Sequence, residues 1–258
     1  MKLIIQSDDL GISEAVSCGI ARAARDGVIT CTGLFSNMPS APFAVELMKP
    51  YPEICLGEDI NLVAGYPCAD PMKIPSLVQD NGAFLTSGMH RAIDQHDGNQ
   101  NHVKLEDCLI ETEAQILKFK KLTGKFPEYL HDHSYSNPAT WKAMEIMGEK
   151  YGIPLVKDMH KQFGIIRPSK SWYKKPFPLE DQIKADLTEC VIGDKTFLNN
   201  PIGFLGTHCG YVDHELFNVS TYTLIRNQDL AAVTSDRFKA WISENHIKLI
   251  SYRNLKGI

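Results

Sequence analysis

The chain of 258 residues has no long apolar run, no excess of positive charge and no paired cysteines. A membrane-spanning helix needs about 18 or more consecutive apolar residues, and no stretch reaches that length. The net charge is -4, with 27 basic and 31 acidic residues, so the chain offers no basic field for nucleic acid. These absences predict that neither a membrane nor a nucleic acid is a partner, and they favour a small molecule.

The seven cysteines are odd in number and scattered, and no two of them form a C-x-x-C pair. This spacing argues against a disulfide framework and against a zinc ribbon. The N-terminus reads Met-Lys and then enters an apolar stretch, which leaves no room for a signal peptide. We therefore expect a reducing compartment, the cytoplasm.

Nucleotide-binding signatures are also missing. No G-x-G-x-x-G follows the first apolar stretch, and no Walker A motif occurs in the chain. The chain does contain a regular alternation of strand-like and helix-like segments. The predicted strands are 2–7, 28–36, 54–62, 128–133, 153–157, 204–210 and 247–253, and the predicted helices are 13–26, 41–49, 103–123, 138–151, 221–231 and 235–245.

Repeated strand–helix units predict parallel strands joined by right-handed crossovers. We expect one domain over residues 1–258 and favour an α/β barrel, with an open doubly wound sheet as the alternative. Residues 63–101 interrupt the alternation with glycine, proline, asparagine and histidine. We interpret them as a long insertion across one rim of the fold, since loops of this length are uncommon and often functional.

Polar side chains gather where four of the predicted strands end. Because the carboxyl ends of parallel strands meet at one rim, these side chains are candidates for a single site. They are Asp8 and Asp9; Asp59 and Asn61; His131, His133 and Tyr135; and His208. Carboxylate and imidazole groups from separate strands suit a divalent metal ion, which makes a hydroxide-like nucleophile from bound water near neutral pH.

Structural alternatives exist for the same residues. An Asp-Asp pair commonly caps a helix, and a single histidine such as His131 is more often a hydrogen-bonded core residue than a ligand. Successive residues of a strand face opposite sides, so Asp8 and Asp9 reach one pocket together only if the chain is already turning there. Gly11, two residues later, permits such a turn.

Six segments of the chain resemble, in order, the motifs of the YdjC-like carbohydrate deacetylases. The opening SDDLGIS is similar to that family's ADDFGLS. The later matches are SNMPSAPFAVEL after the second strand, LGEDINL for the family's G-x-H-x-N-L, GKFPEYLHDHSY for its G-x-x-P-x-x-L-D-S-H-x-H, GTHCGYVD for its H-P-G-Y-V-D-like segment, and IKLISYRNL near the C-terminus. Together they cover nearly the whole chain.

The resemblance implies an α/β fold of the irregular or incomplete (β/α) TIM-like barrel class. It implies an enzyme that removes acetyl groups from N-acetylated sugars with a divalent metal ion held by one aspartate and two histidines. At the matching positions, Asp9 and His133 would bind the metal. Asp8 would be the general base and His208 the general acid.

The chain departs from the family's motifs at several of these positions. Asp59 stands where the family has its first metal histidine, so the predicted ligands are Asp9, Asp59 and His133. Two carboxylates and one imidazole form a harder, more anionic site, which favours Mg²⁺ or Mn²⁺ over Zn²⁺. The remaining departures are His131 for an aspartate, Tyr135 and Asn137 for later histidines, and Cys209 for a proline.

We therefore expect metal-dependent removal of the acetyl group from an N-acetylated amino sugar or a short chitooligosaccharide, with or without a phosphate group. The predicted substrate-binding residues are Asn37, Asn61, Tyr135, Arg167 and Arg226. Asn37 could instead form a turn. Arg167 and Arg226 are candidates for a phosphate or sugar-acid group, or could instead form surface salt bridges.

Two other functions stay open on the sequence. One is a non-catalytic sugar-binding or regulatory protein on a degenerate deacetylase scaffold, which the substitutions at 59, 135 and 137 suggest. The other is a different metal-dependent reaction on a phospho-disaccharide. The sequence also leaves a homodimer open.

Overall fold

Parallel strands surround a common interior in the computed structural model, which describes residues 1–98, 102–173 and 177–257. The strands in these residues are β1 (Lys2–Leu10), β2 (Cys31–Leu34), β3 (Cys55–Ile60), β4 (Leu130–Asp132), β5 (Ile202–Thr207) and β6 (Lys248–Leu249). They pair in the order β4-β3-β2-β1-β5, and β6 also pairs with β1. Every pairing of these strands is parallel, which confirms the predicted α/β class.

Helices connect the strands and pack against the sheet. They are α1 (Glu14–Asp26), α2 (Ala41–Met48), α3 (Ser87–Asp97), α4 (Leu105–Thr123), α5 (Pro138–Tyr151), α6 (Val156–Gln162), α7 (Leu179–Lys184), α8 (Leu187–Ile192), α9 (Lys195–Leu198), α10 (Leu216–Val219), α11 (Leu224–Thr234) and α12 (Asp236–Glu244). Two 3₁₀ helices lie at Pro71–Lys73 and Tyr252–Gly257. Of the helices described, none combines the length and the apolar character that crossing a bilayer requires.

The first helix shows how the sequence fixes these elements. The Ser13 side chain accepts a hydrogen bond from the backbone N–H of Val16, and so caps the N-terminus of α1 at the start of the predicted helix 13–26. Val16, Ile20 and Ala23 recur at helical spacing and are all buried. Burial of this face holds α1 beside β1.

The barrel is incomplete between β4 and β5. In the part of the chain that is described, this gap holds only isolated parallel bridges, from Leu130 to Leu155 and from Ile166 to Gly203. The strand predicted at 153–157 is therefore wrong. Pro154 has no N–H to donate to a strand ladder, and α6 begins directly afterwards at Val156. The irregular, incomplete barrel that the resemblance implied is confirmed.

The described residues of the predicted rim insertion include short secondary-structure elements. They contain α3, which the sequence analysis did not identify, and an antiparallel bridge between Val78 and Phe84. Thr86 caps the start of α3, and Gly98 ends it with a left-handed φ of 66°. Residues 99–101 of the insertion lie outside the described residues.

Alternate residues of the strands face the interior in layers. The lowest layer belongs to one buried apolar cluster that includes Ile4, Cys31, Cys55, Tyr129 and Phe204. Two residues further along the same strands stand Gln6, Gly33, Gly57, His131 and Gly206. Two residues beyond those stand Phe35 and four polar residues, Asp8, Asp59, His133 and His208. The interior therefore changes from apolar to polar towards the carboxyl ends of the strands, and a layer rich in glycine leaves room below the polar groups.

Gly33 gives the clearest test of this arrangement. A Cβ at Gly33 would lie 1.9 Å from Oδ1 of Asp59, so Gly33→Ala must displace a buried carboxylate. We expect the free energy of unfolding to fall by about 1–3 kcal/mol, the usual cost of overpacking a core. Urea unfolding followed by circular dichroism measures this change.

Gly193→Ala is the matched control. Gly193 has a φ of -90°, and its added Cβ would meet nothing within 4 Å, so the free energy of unfolding should stay within about 0.5 kcal/mol of the parent. If Gly33→Ala were as stable as Gly193→Ala, the Asp59 carboxylate would not pack against β2 as described.

Candidate active site and metal centre

A bulge at the end of β1 brings two adjacent aspartates into one pocket. The register between β1 and β2 shifts between Ser7 and Leu10, and Asp9 has a left-handed φ of 71°. Aspartate adopts this conformation more readily than most residues. Asp8 and Asp9 are both buried as a result. Because the Ser13 side chain caps α1, the two aspartates are not the caps of that helix.

Asp8, Asp59 and His131 converge in the interior of the barrel. One ligand atom from each lies within 4.8 Å of the others. Nδ1 of His131 lies 3.2 Å from Oδ1 of Asp59 and 3.8 Å from Oδ1 of Asp8. The Gln6 amide donates to Asp8 and lies 3.3 Å from Nδ1 of His131. The spacing and the donor types fit a divalent metal ion.

Burial makes charge in this cluster costly. It raises the pKa of Asp8, although His131 partly offsets that effect. Burial also opposes a charge on His131, but Asp8 and Asp59 together outweigh it and raise the pKa of His131 to about 10. A positive charge is therefore retained between the carboxylates. A divalent cation can replace the positive charge of the imidazolium when His131 releases its proton.

Asp9 is held by different partners. Its Oδ2 accepts a hydrogen bond of 2.6 Å from Nη2 of Arg226, and its Oδ1 lies 3.1 Å from Nδ1 of His133. Arg226 is 0% exposed and Asp9 is 1% exposed. Burial alone would raise the pKa of Asp9, but Arg226 and His133 hold this pKa well below its ordinary value. Asp9 is therefore ionised at neutral pH.

The predicted ligands Asp9, Asp59 and His133 are neighbours in this site. The backbone N–H of Asp9 donates to Oδ2 of Asp59 at 3.0 Å, and His133 is the ion-pair partner of Asp9. Within residues 1–98, 102–173 and 177–257, however, the group with metal-ligand spacing consists of Asp8, Asp59 and His131. The predicted ligand set stays a prediction, and His131 is an additional candidate.

His208 lies beyond the end of β5 and is joined to two other groups. Its Nδ1 is 2.8 Å from the hydroxyl of Tyr173, which in turn donates to Oδ2 of Asp229. Burial lowers the pKa of His208, and the charges of Asp9 and Asp8 oppose that shift. The imidazole therefore lies within electrostatic range of both aspartates.

Asn37 and Asn61 hold the start of the rim insertion. Asn37 donates to the backbone carbonyls of Ala64 and Tyr66, each at 3.0 Å. Asn61 donates to Oδ1 of Asn37, and its own Oδ1 accepts from the backbone of Val63 and Ala64. These bonds hold the buried asparagines against residues 63–66, and their predicted contact with substrate stays a prediction.

Tyr135 joins the rim insertion to the loop after β4. Its hydroxyl donates to Asp94 of α3 at 2.9 Å, and its ring stacks on His90 with 4.5 Å between ring centroids. Arg91 of α3 also donates to the backbone carbonyl of Ser134. The insertion is therefore fastened beside the site.

The two predicted arginines differ in position. Arg167 is exposed, and its guanidinium lies 4.7 Å from the centroid of the Phe204 ring. Arg226 does not form the alternative surface salt bridge, and its contact with a phosphate or sugar-acid group stays a prediction. It is fully buried on α11, where its Nε donates to the carbonyl of Tyr222 and its Nη2 binds Asp9.

Sequence reasoning did not select Tyr173, Asp229 or Gln6, and it listed His131 at a strand end without including it in the metal ligands. Gln6 could have been found, because it lies two residues before Asp8 on a strand and therefore shares its face. Tyr173 lies in a segment without periodicity, and Asp229 lies inside a helix, so neither position carries a local signal. The assembled site therefore combines three features on one rim. They are the anionic cluster of Asp8 and Asp59 with His131, the ionised carboxylate of Asp9, and the imidazole of His208.

Comparison with known proteins gives consistent matches over the full chain. The family described as YdjC-like protein matches residues 2–244. Carbohydrate deacetylase 2 of Listeria innocua serovar 6a is 28% identical and covers 99% of both chains. The carbohydrate deacetylase of Geobacillus stearothermophilus is 30% identical over 97% of this chain and 96% of its own. A crystal structure from Enterococcus faecalis V583, of a protein with a proposed role in cellobiose-phosphate cleavage, is 25% identical with a TM-score of 0.76 over 98% of each chain.

The buried ion pair of Asp9 and Arg226 can be tested by removing the guanidinium group of Arg226. Arg226→Met leaves the Asp9 carboxylate buried without its main partner, and we expect the free energy of unfolding at pH 7 to fall by about 3–5 kcal/mol. Adding Asp9→Asn should restore part of this loss, because the remaining group is then neutral. Urea unfolding of the single and double variants measures both effects.

Arg237→Met is the matched control, since Arg237 pairs with Glu189 on the surface and both side chains are more than half exposed. Its effect should stay below about 1 kcal/mol. Equal losses for Arg226→Met and Arg237→Met would contradict the buried pairing.

Proposed function

This chain belongs to the YdjC-like protein family, and from that premise we propose that it is a metal-dependent deacetylase of an N-acetylated amino sugar or short chitooligosaccharide. Relatives named carbohydrate deacetylase align with it over nearly their whole length, which supports the proposal. The observation on which this proposal rests is the convergence of three carboxylates and two imidazoles at the carboxyl ends of the strands. These residues are Asp8, Asp9, Asp59, His131 and His208.

Asp8, Asp59 and His131 would hold the metal ion. The support is their mutual spacing and the positive charge that the cluster retains on His131. Two carboxylate ligands and one imidazole favour Mg²⁺ or Mn²⁺. When bound, such an ion supplies Lewis-acid polarisation of the acetamide carbonyl and lowers the pKa of water.

Asp9 would accept the proton of the attacking water. With Asp8 in the ligand set, Asp9 is the neighbouring carboxylate that remains, and Arg226 and His133 keep it ionised. This assignment exchanges the roles that the sequence analysis gave to Asp8 and Asp9. Holding the two carboxylates by different partners lets one bind a cation while the other stays ionised outside the ligand set.

His208 would donate a proton to the departing amine. An amine leaves as a neutral group only when its nitrogen is protonated, so an acid is required on that side of the amide bond. His208 follows β5, which pairs with β1 on the side opposite β2. The imidazole can therefore approach the substrate from a different side than Asp59 and His131.

The substrate pocket would be bounded by the rim insertion. Asn37, Asn61 and Tyr135 shape its wall through the bonds described above. Arg167 is an exposed cation for which we retain the proposed contact with a phosphate or sugar-acid group. All seven cysteines are free thiols, which supports the proposed location in the reducing cytoplasm.

Acetate release tests the function directly. The purified protein with Mn²⁺ or Mg²⁺ should release acetate from N-acetylglucosamine, from chitobiose or from their phosphorylated forms, and a chelator should stop this release. Mass spectrometry of the product should show an acetyl group replaced by hydrogen with the glycosidic bond intact.

A second candidate function, cleavage of a phospho-disaccharide, is favoured by the role proposed for the Enterococcus faecalis relative. It would instead yield two monosaccharide products and no acetate. A sugar-binding protein without catalysis would bind these sugars after metal removal and release nothing with any metal. Either result would overturn the deacetylase proposal.

The metal ligands are tested by titrating Mn²⁺ into the variants in a calorimeter. Asp8→Asn should weaken Mn²⁺ binding about 10-fold or more. Asp9→Asn should leave Mn²⁺ affinity nearly unchanged but lower kcat by about 10²-fold or more, because it removes the proton acceptor. Asp132→Asn, on the same strand as His131 but facing the other way, is the matched control for both measurements.

The opposite pattern would refute this ligand set. If Asp9→Asn loses Mn²⁺ while Asp8→Asn retains it and loses kcat, then the ligands are Asp9, Asp59 and His133 as predicted from the sequence.

A further inference from the structure

A chain of hydrogen bonds leads from His208 to a buried carboxylate through a tyrosine. Nδ1 of His208 lies 2.8 Å from the Tyr173 hydroxyl, and that hydroxyl donates to Oδ2 of Asp229. Asp229 is 1% exposed. Its Oδ1 accepts from the indole N–H of Trp172 at 3.0 Å, and its Oδ2 also accepts from the backbone N–H of His208 at 2.8 Å.

We propose that Tyr173 is a positioning residue that couples Asp229 to His208 and so prepares His208 as a proton donor. This inference rests on the proposed deacetylase function. A phenol has one proton, so a hydroxyl that donates to Asp229 can only accept from Nδ1–H of His208. Nδ1 is thereby occupied, and Nε2 is the nitrogen that can serve the substrate.

The ionisation states of His208, Tyr173 and Asp229 support this order of donors and acceptors along the hydrogen bonds. Burial raises the pKa of Tyr173 well above its ordinary value, so the phenol keeps its proton throughout. Burial also raises the pKa of Asp229, to about 6, which leaves it mostly ionised at pH 7. The Asp229 charge is then felt at His208 through the phenol, where it stabilises the imidazolium against burial.

Aromatic packing fixes the position of the phenol. The ring of Tyr222 stacks on Tyr173 with 5.6 Å between centroids and an angle of 14° between planes. Phe177 meets the Tyr173 ring edge-on at 6.1 Å. The rings hold the hydroxyl between its two partners, so the link is formed before any substrate arrives.

The proton balance of the acid step follows from this geometry. Water gives one proton to Asp9 as its oxygen adds to the acetamide carbon, and the C–N bond then breaks with its electron pair remaining on nitrogen. The proton on Nε2 of the His208 imidazolium passes to that nitrogen, and acetic acid and a free amine are released. His208 is left neutral with its proton on Nδ1, still donating to Tyr173, and Asp229 remains a carboxylate.

The dependence of the hydrolysis rate on the leaving group distinguishes this role of Tyr173 from a purely structural one. Tyr173→Phe should lower kcat for an N-acetylated sugar about 10²-fold, with KM changed less than about twofold. 4-Nitrophenyl acetate has a leaving group that needs no proton, so its hydrolysis by Tyr173→Phe should change less than about threefold. Tyr151→Phe is the matched control, because it also removes a hydroxyl bonded to a carboxylate, Glu113, but outside the site. It should leave both rates unchanged.

A measurement without substrate tests the link independently. In protein labelled with ¹⁵N-histidine and loaded with Mg²⁺, neutral His208 should be the Nδ1–H tautomer, and Tyr173→Phe should shift it towards the Nε2–H tautomer. An unchanged tautomer, or equal loss of amide and ester hydrolysis, would overturn the role of Tyr173. Absence of acetate release by the parent protein would refute the deacetylase function instead, while the tautomer shift would still show the link.

Discussion

The buried ion pair between Asp9 and Arg226 is the constraint from which the arrangement of the site follows. Two adjacent aspartates at a strand end repel each other and cannot both stay charged in a buried pocket without partners. Arg226 and His133 neutralise Asp9, while Asp8 turns to Asp59 and His131. The left-handed backbone at Asp9 makes this division possible, because it places consecutive side chains of β1 in one pocket.

The strand register shows that two apparent departures from the family's motifs are a single exchange of residue types between paired strands. The resemblance places a histidine at position 59 and an aspartate at position 131, whereas this chain has Asp59 and His131. These residues are direct partners on β3 and β4. The exchange therefore keeps one carboxylate and one imidazole side by side on neighbouring strands. A site that lost two residues independently would not conserve this charge balance, so the substitution at 59 is weaker evidence for lost activity than the sequence suggests.

The features that depend on hydrophobic periodicity and on the positions of strand ends could be predicted from the sequence. The parallel strands, the cap at Ser13 and the gathering of polar groups at one rim follow from local patterns. The division of labour within the Asp8–Asp9 pair depends on a bulge, and the burial of Arg226 depends on packing between distant elements. Neither has a local signal. The strand expected at 153–157 failed because an apolar run next to a proline does not by itself provide a partner for pairing.

One turn of α11 connects the two sides of the proposed chemistry. Arg226 and Asp229 are three residues apart on this helix, so they lie on one face about 5–6 Å from each other. Arg226 holds Asp9, and Asp229 holds both the backbone N–H of His208 and the Tyr173 hydroxyl. The separation between the proposed proton acceptor and the proposed proton donor is thus fixed by a helix rather than by the loops that carry them. Catalytic groups need placement to about 0.5 Å, and a rigid element shared by both meets that requirement better than either loop alone.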